Sequence, residues 1–111
     1  MAEKRVINRH LKRMNVLFGT DKPVFHGFTV DISDTGIFLK SIKVCPPGSV
    51  ITVEIHMSDG GVVEFQGRIM WAKAVPSSMI NIIKKAGMGV KIINFLKGEN
   101  EYQELVKAFH H

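Results

Sequence analysis

One cysteine, one tryptophan and one tyrosine occur in 111 residues. Cys45 alone can form no internal disulfide and leaves no Cys-rich metal site. It precedes Pro46-Pro47 and is read as a quiet structural thiol. No apolar run approaches the roughly 20 residues of a membrane helix, and the charged amino end holds no signal-peptide core. The expectation is a soluble, cytoplasmic protein. No serine sits in a nucleophile-elbow sequence. His10, His26 and His56 are scattered, without HxxxH or HExxH spacing, so neither a metal, a cofactor nor catalysis is expected. Gly87-Met88-Gly89 is only a GxG fragment, outside the strand–GxGxxG–helix context of a dinucleotide site. Internal repeats, low-complexity segments and interdomain linkers are also missing.

What remains is ordinary for one globular domain: 45% hydrophobic and 23% charged residues provide a core and a solvated surface. The net charge of +5 is unevenly placed. Lys4, Arg5, Arg9, Lys12 and Arg13 face the single acid Glu3, so most of the excess lies at the amino end. An anionic partner suits such placement; a solvated basic tail is the bland alternative.

Residues 1–8 are expected to form a flexible arm, followed by one domain over 9–111. Met14, Val16 and Phe18 alternate as on a strand, and Gly19 to Pro23 is a turn. A second strand over Val24–Ser33 places Phe28, Val30 and Ile32 on one face and Thr29, Asp31 and Ser33 on the other. Asp34-Thr35-Gly36 reverses the chain, with Gly36 expected to supply a positive φ, and Ile37–Lys40 follows. Val50–Met57 and Val62–Ala72 make a long hairpin around Ser58-Asp59-Gly60-Gly61. There Val63, Phe65, Ile69 and Trp71 are expected to face the core, and the methionines, Met70 among them, to fill it. A short helix is expected near 76–85, a strand over Met88–Ile93, and a carboxyl-terminal helix over Glu99–Phe109. Tyr102, Leu105, Val106 and Phe109 form the apolar stripe of that helix. The fold class is mainly β: a small antiparallel barrel of six to seven strands, covered at one end or seam by the terminal helix.

Two groups of residues carry recognisable chemistry. Arg9-His10-Leu11-Lys12-Arg13 holds two arginines four apart, directly before the first strand. Guanidinium forks match phosphate oxygens and the acceptor edge of guanine. Asp31-Ile32-Ser33-Asp34-Thr35-Gly36 closes the next strand with an acid, a hydroxyl and a glycine at fixed spacing. Singly each residue has a bland account as a solvated arginine or a turn former. In order, RxxxR before one strand and DxSxxG after the next, they form a specific pair.

That pair resembles the signature of the PilZ domain family, bacterial receptors for cyclic di-GMP. The likeness extends through Met14–Gly19, Gly27–Asp31, Gly36–Leu39, the glycine-bracketed Gly87–Ile92 and the terminal helix, nearly the whole chain. The resemblance implies a stand-alone, non-enzymatic domain. Arg9 and Arg13 would hold phosphates and guanine O6 and N7, Asp31 and Ser33 would meet polar edges of the ligand, and Gly36 would keep the turn tight. Arg5, His10 and Lys12 are possible helpers. Arg5 and Arg9 also form an RxxxR, but the family's second arginine sits directly before the first strand, which favours Arg9 and Arg13. The ligand would order the arginine segment and so signal to a protein partner, in outputs such as motility or biofilm formation. Two other classes stay open. One is a PilZ-like adaptor without nucleotide binding. The other is a basic barrel for nucleic acid, not favoured, because aromatics and basic residues are not interleaved along the strands; steep salt dependence would reveal it.

Overall fold

The computed structural model describes residues 14–73 and 86–109. The arm 1–8, the segment holding Arg9 to Arg13, the helix expected near 76–85, and His110 and His111 lie outside the described residues.

Six antiparallel strands are described: β1 (Asn15–Gly19), β2 (Phe25–Ile32), β3 (Gly36–Lys40), β4 (Val50–His56), β5 (Val62–Lys73) and β6 (Gly87–Lys97). They close into a barrel in the order β1-β2-β3-β6-β5-β4, and one helix, α1 (Glu99–Phe109), follows. Closure removes free sheet edges. Period-two patterning explains the core: Val16 and Phe18 of β1, Ile51, Val53 and Ile55 of β4, and Val63 and Phe65 of β5 are all buried. The β4–β5 turn forms as expected. Met57 N donates to Gly61 O at 2.8 Å, Asp59 Oδ1 accepts Gly61 N at 2.8 Å, and Gly60 takes φ +93°.

Two strands break the expected alternation. In β2 the pairing register shifts between Thr29 and Asp31. The added residue of a bulge turns the pleat over, so Thr29 is buried while Phe28 is exposed and Val30 only half-buried. The Thr29 hydroxyl is satisfied inside, accepting Met14 N at 3.0 Å. In β5 a second shift falls between Ile69 and Trp71. Ile69 is buried, but Trp71 is 46% exposed, against the alternation, and Met70 is 55% exposed, against the expectation that the methionines fill the core. Strand β6 also runs four residues past the expected Ile93, to Lys97, because it continues to pair with β5 as far as Glu64.

Helix α1 occupies its expected span. Gly98, at φ +79°, turns the chain from β6 into it. Tyr102 and Leu105 are buried and Val106 half-buried. The Tyr102 ring packs against Phe65 and Phe95, with centroids 6.1 and 5.4 Å away.

Candidate functional site

The DxSxxG segment is the β2–β3 turn. Strand β2 ends at Ile32, so Asp31 is the strand's last exposed residue and Ser33 already belongs to the turn. Ser33 N donates to Gly36 O at 2.9 Å. An ordinary hairpin would return the bond from Gly36 N to the Ser33 carbonyl. Here Gly36 N donates to Ser33 Oγ at 3.2 Å, and Thr35 N to the same oxygen at 3.3 Å. The serine hydroxyl thus replaces a backbone carbonyl in closing the turn, as an ST-turn does. Asp31 Oδ1 accepts the Ile32 amide at 3.0 Å, which fixes the carboxylate beside the turn.

Gly36 does not have the expected positive φ; among the described residues only Gly48, Gly60 and Gly98 do. Its requirement is proximity. A Cβ at this position would run into the Val90 carbonyl oxygen of β6, and the Val90 carbonyl carbon and Lys91 Cα would lie 3.3 and 3.4 Å away. Glycine lets β3 and β6 approach, with Thr35 O accepting Ile92 N at 2.9 Å just beyond.

An open depression of about 420 Å³ lies over this turn and the outer faces of β3, β6 and β5. Asp31, Ser33 and Gly36 form one side; Phe38, Trp71 and Lys91 continue it. The bulge in β5 turns the Trp71 indole outward across β6, where it lies on Gly89; a Cβ there would collide with indole Nε1. Phe38 lies likewise against Gly87, whose Cβ would come within 2.8 Å of the ring. The two aromatic rings meet at 5.1 Å and 59°. The glycine-bracketed strand is therefore a floor low enough for flat side chains to lie on. Asp31, Phe38, Gly89 and Trp71 follow one another across the sheet, and Lys91 pairs with Gly36 beside them; an acceptor, an ammonium and an aromatic surface so close together suit a planar, polar-edged anion.

The structure thus brings Asp31, Ser33 and Gly36 together, though the alternation of one strand is not what does it. Arg5, Arg9, His10, Lys12 and Arg13 lie outside the described residues. Sequence reasoning missed Phe38, Trp71 and Lys91. The available signal was the pair Gly87 and Gly89, two missing side chains on one face of a strand.

Tyr102 was also missed as part of this region. Its hydroxyl donates to the Ser33 carbonyl at 2.6 Å and approaches the Gly36 carbonyl at 3.3 Å. Burial, then the Asp34 carboxylate, pushes its pKa far up, with Asp31 adding to this and the Ser33 bond opposing it. The group remains a protonated donor.

No cluster of three His, Cys, Asp or Glu that could hold a metal ion occurs among the described residues, and no helix among them is long and apolar enough to cross a membrane. The described residues thus form a small closed six-strand barrel with a hydroxyl-closed turn beside an aromatic-lined depression, its candidate ligand site. The PilZ domain family model matches residues 3–109. The chain belongs to the PilZ domain family, a family of binding and adaptor domains of the cyclic di-GMP type rather than of enzymes. Neither the curated proteins nor the solved structures give a significant match.

Proposed function

We propose that this chain is a non-catalytic receptor for cyclic di-GMP. One observation carries the reading: the DxSxxG turn and an outward-turned indole line the same depression. A guanine ring stacks on Trp71 and Phe38, and the Asp31 carboxylate accepts from its exocyclic amino group. Lys91 offers a point charge to a phosphate.

Arg13 and Arg9 supply the forks. Thr29 N donates to Met14 O at 3.0 Å, and Met14 N donates to the Thr29 hydroxyl, so Met14 sits opposite Thr29, two positions before Asp31. Arg13 is covalently next to Met14, within about 3.8 Å between Cα atoms. That entry point supports Arg9 and Arg13 over Arg5 and Arg9 as the working pair. The arginine segment closes on the bound ligand, becomes ordered by it, and presents a changed surface to a protein partner. Bidentate, charge-assisted contacts supply the affinity.

Calorimetric titration with cyclic di-GMP tests the reading, run beside Arg13→Ala and with GTP and cyclic di-AMP as controls. The expected result is micromolar or tighter binding, lost in the variant and absent for the controls. No heat and no amide shift at millimolar ligand would refute it.

A further inference from the structure

We infer that Tyr102 is a positioning residue for the ligand-facing turn: from α1 its hydroxyl holds the Ser33 and Gly36 carbonyls in the geometry that sets the turn against the depression beside Asp31. The inference rests on the receptor reading for its ligand and on the hydrogen bonds alone for its mechanics.

The β2–β3 turn is an incomplete hairpin. Gly36 N is diverted to Ser33 Oγ, which leaves the Ser33 carbonyl outside the hairpin's own closure. That carbonyl is taken by Tyr102, 69 positions away, at 2.6 Å. Two hydroxyls therefore replace one backbone bond: the motif's serine receives the amide, and the helix's tyrosine supplies the carbonyl's donor. The Tyr102 ring cannot follow a moving turn, because it is buried between Phe65 and Phe95. The turn is thus referenced to the rigid end of the barrel and not to its own two residues. This is the sequence-distant contact through which DxSxxG and α1 share one geometry.

The consequence is a linkage. A turn without its anchor samples geometries in which Ser33 and Gly36 no longer line the depression beside Asp31, and apparent affinity falls by the fraction of time the competent geometry is held. Losing one part-buried hydrogen bond is worth about tenfold in such an equilibrium. By reciprocity, a ligand that fixes the turn steadies the seat of α1, so the helix surface is a place where occupancy is felt.

Tyr102→Phe keeps the ring and removes only the hydroxyl. In the ligand-free full chain, amide hydrogen exchange at Ser33 and Gly36 should accelerate about tenfold while β4 and β5 amides stay unchanged. Cyclic di-GMP affinity should weaken measurably, by up to about tenfold, at a temperature where the variant is fully folded. A merely structural role would lower the melting temperature and leave affinity native, and that result overturns the inference. If the native chain binds no cyclic di-GMP, the receptor reading fails instead. The exchange measurement then decides Tyr102 alone: local acceleration upholds its hold on the turn, and unchanged exchange overturns it. Should the variant not fold, the native chain carries the test. Saturating ligand should slow exchange at Leu105 and Val106, and unchanged rates there would overturn the linkage.

Discussion

Replacing Gly36 by alanine and by asparagine separates two accounts of why the DxSxxG motif ends in glycine. If the turn needed a left-handed residue, asparagine would be tolerated better than alanine. If the need is space against β6, both side chains fail alike. The structure places the obstacle in backbone: the Val90 carbonyl oxygen lies where the new Cβ would go, with the Val90 carbonyl carbon at 3.3 Å and Lys91 Cα at 3.4 Å. Val90 is paired on both sides, with Ile37 of β3 and Ile69 of β5, so it cannot rotate away. Relief requires β3 and β6 to part at the Gly36–Lys91 pair. Overpacking of this kind costs about 1–3 kcal/mol. For a domain of this size a kcal/mol moves the melting temperature by roughly 4 °C, so Gly36→Ala should melt about 4–12 °C below the native chain. Gly36→Asn should do no better. Gly60 provides the contrast, with φ +93° and nothing within 4 Å of its virtual Cβ. There alanine should cost about 1–2 kcal/mol through backbone strain alone, and asparagine less. Thermal melts and urea titrations of the four variants suffice. A Gly36→Ala chain that melts within about 1 °C of native, or one clearly improved by asparagine, would refute the close-approach account.

Trp71→Ala should leave stability within ~1 kcal/mol of native, because the indole is half exposed, yet weaken cyclic di-GMP binding ten- to a hundredfold, the worth of about 1–3 kcal/mol of base stacking. Calorimetry beside a melt reads both, and native affinity would remove the indole from the site. Stability should also fall in alkali. Burial raises the Cys45 thiol above its ordinary range, with Lys43 opposing, and burial and Asp34 raise Tyr102. Both groups are acids kept neutral by the fold. The unfolded chain therefore releases their protons first, and stability, unaffected below pH ~8, declines as pH rises past about 9–10. Urea midpoints at pH 8 and pH 10.5 check this; Tyr102→Phe should lessen the decline, and equal midpoints in the native chain would contradict it.

Much of the architecture was legible because it rests on burial of one strand face. Val16, Phe18, Val53, Ile55, Val63 and Phe65 go inside as their spacing requires, and Gly60-Gly61 marks the β4–β5 reversal. The residues Asp31, Ser33 and Gly36 were legible from their order along the chain. Their geometry was not. Ser33 turns its hydroxyl back into the turn, and Gly36 is required by a strand 54 positions later that no local pattern announces. Trp71 was misplaced because a single added residue in β5, Met70, reverses every later side chain and alternation cannot see it, and Met70 because its residue type suggests core filling. Tyr102 was legible as a core residue of an amphipathic helix, but its hydroxyl's target depends on how that helix seats on the closed barrel.

Further register shifts lie in β6, between Ile92 and Asn94 and between Phe95 and Lys97, but two of the irregularities fall at one surface. The β2 bulge ends at Asp31 and the β5 bulge near Ile69 ends at Trp71, and both of those residues line the same depression. Strict alternation through β5 would have buried the indole, the larger hydrophobic gain, in place of exposing nearly half of it. It would also have left Thr29 outside, sparing the barrel a buried hydroxyl that has to be satisfied by Met14 N. Both departures forgo stability locally: the β5 shift turns the indole outward, and the β2 shift brings in Thr29, whose hydroxyl holds Met14 two positions before Asp31. Departures from the folding rules that converge on one surface mark where a sequence serves something besides its fold. Here two of them meet beside the motif turn, where Gly89 makes room for the Trp71 indole and Gly87 for the edge of the Phe38 ring.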